Sequence, residues 1–157
     1  MSFRLRRDAK PWFKDIRGKL DYDFDAYYFC LMAGLAAGVK KDVPQSETDE
    51  LVQSFPGEYR KRGRIIVALF LKTELAQMGV SLTERSALNR SIGELVEPTS
   101  PSTLSDEGEH ELNKYADGGF DVLTEWFEDR PRTLETFLPL FKRRLDEALA
   151  ERSKEQP

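Results

Sequence analysis

The sequence of 157 residues has little of the material from which disulfides, metal clusters and many catalytic sites are made, because it contains one cysteine and one histidine. The single Cys30 excludes an internal disulfide and a cysteine metal cluster, and a buried reduced thiol is typical of a cytoplasmic protein. His110 lies in an acidic run without a histidine or cysteine partner, which favours a surface residue. No GxGxxG or Walker pattern and no recognisable catalytic triad is present. No apolar run follows the basic start, so we expect no signal peptide.

Long apolar runs are also missing, and the most apolar stretch is Asp25–Gly38. With about 14 residues it is shorter than the roughly 20 that a membrane-spanning helix needs. Apolar side chains fall on every side of its helical wheel, so we expect a helix that is buried on most of its surface. Gly34 and Gly38 lie at helical spacing, which favours close packing against another backbone over phosphate binding.

The segments on either side of this stretch predict further structure. Phe3–Arg6 alternates apolar and basic residues, which predicts a short extended arm. Asp8 is placed to cap a first helix that accepts Pro11 in its first turn and ends at Gly18. Further along, Ser46 and the acids that follow it have the pattern of a capping box, which predicts another short helix.

The middle of the chain contains two further predicted helices. Glu58–Met78 is predicted to be the longest helix, and its predicted buried side consists of Ile65, Ile66, Leu69, Phe70 and Leu75. Residues 83–96 follow, beginning at a good capping sequence.

A segment rich in proline, serine and threonine, residues 98–105, is the best candidate for a linker. Residues 106–157 then show the apolar stripes of two amphipathic helices, with Pro139 as a kink or restart. We therefore predict an all-α protein of about six or seven helices with a short N-terminal extended arm. It would consist of a helical core at residues 1–97, the linker, and a C-terminal helical pair packed on the core.

Charge is distributed unevenly along the chain. The net charge of −4 argues against nonspecific nucleic-acid binding by the chain as a whole. Residues 1–20, however, hold seven Lys/Arg against two Asp, a net of +5. Residues 106–157 hold fourteen acids against eight bases, a net of −6. The basic beginning is therefore the end suited to a polyanion.

Two clusters of cations are the candidate DNA-binding residues. The first consists of Arg4, Arg6, Arg7, Lys10, Lys14, Arg17 and Lys19. The second consists of Arg60, Lys61, Arg62 and Arg64 at the start of the long helix, with Lys72 farther along on one stripe with Lys61, Arg64 and Ala68. Cations at a helix start oppose its dipole at a cost of a few tenths of a kcal/mol each, and a helix N-terminus attracts phosphate, which favours polyanion binding. The alternative for both clusters is an ordinary solvated surface.

The acidic triplet Asp21, Asp23 and Asp25 begins like a calcium-binding loop. Ala26 stands where that loop needs glycine, and Met32 stands where it needs glutamate. Capping the central helix and interacting with its dipole is therefore the better interpretation of the triplet. If the protein cleaves phosphodiesters with Mg²⁺ or Mn²⁺, these three carboxylates are the candidate metal ligands.

Three segments in the first third of the chain carry a resemblance to a known family. They are Phe3–Ala9 (FRLRRDA), Phe13–Lys19 (FKDIRGK) and Asp25–Leu31 (DAYYFCL). Together they resemble the start of the small helical DndE-type proteins of bacterial DNA phosphorothioation systems, in which sulfur replaces a phosphate oxygen. They are also similar to SspB, the longer counterpart in single-strand systems.

The resemblance implies binding to double-stranded or nicked DNA and, for SspB-like members, a nicking activity that opens the backbone for sulfur insertion. The candidates it points to are Arg4, Arg6, Lys10, Lys14, Arg17 and Lys19, and no individual catalytic residue is matched. Expected partners are DNA and other subunits of a sulfur-modification complex in the cytoplasm, with self-association left open and no membrane. The alternative is a non-enzymatic helical adaptor that docks through exposed apolar surface around Trp126 and Phe127.

Overall fold

The computed structural model describes residues 2–155 and is mostly helical, which confirms the predicted fold class. Its elements in chain order are β1 Phe3–Arg6, α1 Phe24–Ala37, β2 Thr48–Val52, α2 Tyr59–Gln77, α3 Arg85–Leu95, α4 Asp106–Trp126 and α5 Leu134–Glu155. The two strands pair in a small sheet, and β1 is the expected N-terminal arm. Among the described helices, none has the length and apolarity that a membrane crossing needs.

The described residues form two compact units, each built from two stretches of chain. Unit 1 comprises residues 2–4 and 50–113, and unit 2 comprises residues 5–49 and 114–155. These bounds differ from the predicted core, linker and C-terminal pair. Residues 98–105 are an ordered part of unit 1, because Leu104 is 1% exposed and forms a bridge with Val96.

In unit 2, α1 packs closely against the C-terminal half of α4. A Cβ on Gly34 would overlap with the carbonyl oxygen of Tyr115, and a Cβ on Gly119 would overlap with the carbonyl oxygen of Cys30. The predicted packing role of Gly34 is therefore confirmed. Gly38 has another role, because it ends α1 in the left-handed conformation with φ of 69°.

Aromatic rings fill the rest of unit 2 between α1 and α5. The ring centroid of Phe29 lies 5.0 Å from that of Phe137 and 5.1 Å from that of Phe141. Phe127 is buried with its ring centroid 5.2 Å from that of Phe137, and Trp126 is half-buried beside Phe141. The expected exposed apolar surface at Trp126 and Phe127 is therefore wrong.

The predicted helix after the N-terminal arm is wrong in form. Arg7–Ala9, Pro11–Phe13 and Arg17–Lys19 are separate 3₁₀ turns, held by i→i+3 bonds such as Lys14 N–H to the Pro11 carbonyl oxygen. Asp8 does not cap a helix, because both of its carboxylate oxygens accept hydrogen bonds from Arg6.

The predicted short helix after Ser46 is wrong as well. A 3₁₀ turn, Gln45–Glu47, leads directly into β2, and the Thr48 hydroxyl donates to the Gln45 carbonyl oxygen. The strand forms because it pairs with β1, which is distant in sequence.

Unit 1 is built around α2 and α3, which pack against each other. The first residues of β1 are fixed here, because Phe3 is fully buried with its ring 4.9 Å from that of Phe55. Asn113 accepts the Arg4 backbone N–H at 3.2 Å and donates to the Ser2 carbonyl oxygen at 3.1 Å. The side-chain amide of Asn113, on α4, thus supplies hydrogen-bond partners for two backbone groups of the arm.

Candidate nucleic-acid interface

The first basic cluster contains the least exposed of the predicted DNA-binding side chains. Arg6 is 10% exposed and forms a bidentate ion pair with Asp8 at 2.7 and 2.8 Å. Its guanidinium also donates to Asp121 at 2.8 Å and lies 5.0 Å from the centroid of the Phe120 ring. The hydrogen bond with Asp8, offset in part by burial, raises the pKa of Arg6. This side chain holds unit 2 together and is not free for phosphate.

Other arginines of this cluster also have carboxylate partners. Arg7 pairs with Asp49 at 3.2 Å, and Arg17 pairs with Asp23 at 3.4 Å. Three lysines of the cluster are exposed and form no ion pair with another described residue: Lys10, Lys14 and Lys19. Arg4 is half-buried and belongs to unit 1.

Asp117, on α4, is a site residue that the sequence did not single out. It is 4% exposed and accepts the Arg6 backbone N–H at 2.9 Å. Burial raises its pKa to about 7, because loss of hydration outweighs the backbone hydrogen bond and the positive charge of Arg6. No local pattern marked it, because at about 100° per residue Asp117 lies about 60° outside the apolar stripe of α4, and its burial depends on what packs against that side of the helix.

The acidic triplet takes up local structural duties. Asp25 accepts the backbone N–H groups of Asp21 and Tyr22 at 3.0 and 3.1 Å, which fixes the turn before α1. Asp23 is engaged with Arg17. Across the described residues, no group of three or more acids, histidines or cysteines has a metal-binding arrangement. These contacts agree with the alternative interpretation of the triplet, and metal binding stays a prediction.

The single histidine and the single cysteine have the exposure that the sequence predicts. His110 is exposed on α4, and Cys30 is fully buried within α1. Burial raises the pKa of the Cys30 thiol, so it remains protonated and unreactive.

The second basic cluster differs from the first in having no carboxylate partners. Arg60, Lys61, Arg62, Arg64 and Lys72 are all exposed on α2. None of the five forms an ion pair with another described residue. The only acid on α2 is Glu74, which is 5% exposed and faces away from solvent. The helix therefore presents positive charge to water without local neutralisation.

Helix geometry places four of these five cations on one side. At about 100° per residue, Arg60, Lys61, Arg64 and Lys72 fall within an arc of about 120°, and Arg62 lies about 80° outside it. We call these four residues the basic stripe. The exposed Ala68 lies within the same arc, and so does the half-buried Leu71. The predicted grouping of Lys61, Arg64, Lys72 and Ala68 agrees with this geometry.

The buried side of α2 was predicted only in part. Ile66 and Phe70 are buried, whereas Ile65 is 62% exposed and Leu69 is 39% exposed. The prediction for Ile65 and Leu69 is therefore wrong, because the helix turns its Ile66, Val67 and Phe70 face inward. Helix α2, with 19 residues, is also shorter than α4 and α5.

The helix N-terminus of α2 does not itself offer an anion site. The backbone N–H groups of Arg60 and Lys61 are bonded to the carbonyl oxygens of Gly57 and Glu58. Anion binding at this position therefore depends on the side chains, and the expected contribution of the helix end is absent for these two groups.

Comparison of the chain with models of protein families, with curated proteins and with solved structures found no match.

Proposed function

We propose that this protein binds the sugar–phosphate backbone of DNA through the basic stripe of α2. The observation that supports this proposal is the combination of exposure and missing carboxylate partners at Arg60, Lys61, Arg64 and Lys72. Cations in an unneutralised row repel one another. A polyanion stabilises them on binding, and the release of the polyanion's counterions favours the complex.

The dimensions of the stripe suit several phosphate contacts. From Arg60 to Lys72 the helix rises about 18 Å, and a duplex carries about one charge per 1.7 Å of its axis. The small side chain of Ala68 permits close approach of the helix to a groove edge. Because such contacts are made to phosphates, binding should depend strongly on salt and little on sequence.

The biological setting is proposed from the resemblance of the N-terminal segments. In this setting the chain is a DNA-binding subunit of a phosphorothioation modification and defence system.

A nicking step with Mg²⁺ or Mn²⁺ would belong to the same proposal. Supercoiled plasmid incubated with either ion tests it, with an Asp21/Asp23/Asp25→Ala variant as control. Relaxation of the plasmid by wild type and not by the variant supports nicking. A plasmid that stays supercoiled with wild type excludes the nicking step.

The binding proposal is tested by fluorescence anisotropy with a labelled duplex at several salt concentrations. Lys61→Ala/Lys72→Ala should weaken binding of unrelated sequences equally and lower the salt slope by about two, because each neutralised phosphate contributes about 0.9 to that slope. Arg62→Ala is the control on the same helix, because it removes one cation from outside the stripe. An equal loss per cation removed in both variants would argue against the stripe.

A second candidate function is the non-enzymatic adaptor, and the exposure of Ile65 and Leu69 favours it. The docking surface would then be on α2 and not at Trp126 and Phe127. Ile65→Ser/Leu69→Ser should abolish capture of protein partners in a pull-down and leave duplex binding intact. Loss of duplex binding with retention of partners would exclude this candidate.

A further inference from the structure

Unit 1 contains a concave pocket that the proposed duplex contact does not explain. Its volume is about 250 Å³, and Arg60, Arg64, Ser54, Ser102 and Thr103 contribute polar groups to its lining. No carboxylate is among the lining residues. Two cations facing a cavity without a counter-charge make a site for an anion.

The sequence builds this pocket by bringing α2 close to an aromatic ring. Gly63 lies between the two arginines along the helix, and a Cβ at this position would lie 2.7 Å from the Phe55 ring. Glycine therefore lets the α2 backbone approach Phe55, which is 6% exposed. Arg60 and Arg64, one helical turn apart, then line the same pocket.

The opposite wall is a loop with an unusual backbone. Thr103 has φ of 63°, a conformation that a β-branched residue rarely adopts. Its N–H donates to the Ser100 carbonyl oxygen at 3.1 Å, and its own carbonyl oxygen accepts the Glu97 N–H at 3.0 Å. The buried Ser102 hydroxyl donates to Glu109 at 2.7 Å, which fixes the loop from behind. Strain of this kind persists where the surrounding structure enforces it, and it clusters at ligand sites.

The pocket has donors available for a ligand. Arg60 and Arg64 form no ion pair with another described residue, and Ser54 has no hydrogen-bond partner among them. A guanidinium presents its N–H groups in a fork that matches two phosphate oxygens. The volume admits a phosphoryl group with part of its attached moiety but not a duplex.

We propose that this pocket binds the phosphoryl group of a phosphomonoester, held by Arg60 and Arg64 with Ser54 as a further donor. A small nucleotide and a phosphorylated DNA end share this chemistry. The pocket shares Arg60 and Arg64 with the basic stripe, but Lys61 and Lys72 do not line it, so their replacement separates phosphate binding from duplex binding.

The test is a titration of the protein with inorganic phosphate and with 5′-dAMP, monitored by ¹H–¹⁵N NMR. Saturable shifts should centre on Ser54, Ser102 and Thr103. Arg60→Ala/Arg64→Ala should lower the affinity by at least about tenfold, in keeping with loss of charge-assisted hydrogen bonds. Arg62→Ala, a single-charge control on the same helix, should retain it. Absence of saturable shifts, or an equal loss in Arg62→Ala, would overturn the proposal.

Two comparisons separate this site from the proposed DNA contact and identify its ligand. Lys61→Ala/Lys72→Ala should weaken duplex binding and leave phosphate binding unchanged, whereas Ser54→Ala should weaken phosphate binding alone. Hairpin DNA with and without a 5′-phosphate distinguishes the sources. Tighter binding of the phosphorylated hairpin supports a DNA end, and equal binding together with a response to 5′-dAMP supports a small nucleotide. Phosphate binding that survives Arg60→Ala/Arg64→Ala would refute the assignment.

Discussion

The arginines of unit 2 and the cations of α2 in unit 1 differ in what surrounds them. In unit 2, Arg6, Arg7 and Arg17 each lie beside an aspartate, and Arg130 and Arg132 share Asp15. The basic stripe of α2 has no such carboxylates among the described residues. A charge that is neutralised within the fold contributes to stability, whereas a row of exposed cations aligned on one helix face without carboxylate partners is left for a ligand. The two regions should therefore respond to mutation in different assays.

The largest expected effect is on the packing of unit 2. Gly119→Ala places a methyl group against the Cys30 carbonyl oxygen, and neither helix backbone can move without disturbing its neighbours. We expect the free energy of unfolding to fall by at least about 4 kcal/mol. Urea unfolding followed by circular dichroism measures it. Gly93→Ala, at an exposed helical position where a Cβ meets no atom, is the matched control and should not destabilise the protein.

Replacing Asp117 should change how stability depends on pH. Its folded pKa of about 7 lies above the ordinary value of about 3.9, so the folded state binds an extra proton between these values. Stability is therefore full below about pH 4 and falls as pH rises through 7. Asp117→Asn should remove this fall and be more stable than wild type at pH 8 by about 4 kcal/mol, because the folded and unfolded pKa values differ by about three units at about 1.4 kcal/mol each.

Unfolding curves at pH 5 and pH 8 make this comparison. At pH 5 the difference should be only about 1.5 kcal/mol, because pH 5 lies about one unit above the unfolded pKa of Asp117, and the carboxyl is still protonated in the folded wild type. The charged groups nearest this carboxyl are Arg6, Asp8 and Asp121. Parallel pH profiles for wild type and Asp117→Asn would show that one of these groups, and not Asp117, dominates the pH dependence of stability.

Arg6→Ala should lower stability by about 2 kcal/mol, because a mostly buried guanidinium loses its bonds to two carboxylates and its packing on Phe120. Arg7→Ala is the control. Its ion pair with Asp49 is exposed, so the loss should stay within about 0.5 kcal/mol. Thermal unfolding of both variants checks the contrast. An unchanged Arg6→Ala protein would return Arg6 to the set of DNA-binding candidates.

The sequence predicts those features that arise from neighbouring residues. The all-round apolar character of α1 and the alternation of Phe3–Arg6 each predict their element within about a residue. The strand at Thr48–Val52 is not predictable in the same way, because it forms by pairing with β1, which is distant in sequence.

Long-range partners explain the other errors. Arg6 and Asp121 are 115 positions apart, so no local pattern reveals that the guanidinium is engaged. Ile65 and Leu69 resemble core residues by type, but which face of α2 turns inward depends on what packs against it. The basic stripe was predictable because four cations on one helix need only helical geometry to align.

The most direct test of the account compares two variants that lose the same charge. Lys61→Ala/Arg64→Ala/Lys72→Ala and Lys10→Ala/Lys14→Ala/Lys19→Ala each remove three exposed cations, from α2 and from the N-terminal segment respectively. Duplex affinity is measured for both against salt concentration. We predict that the α2 variant loses at least about tenfold in affinity and about three from the salt slope, and that the N-terminal variant stays close to wild type. The reverse result would contradict the account.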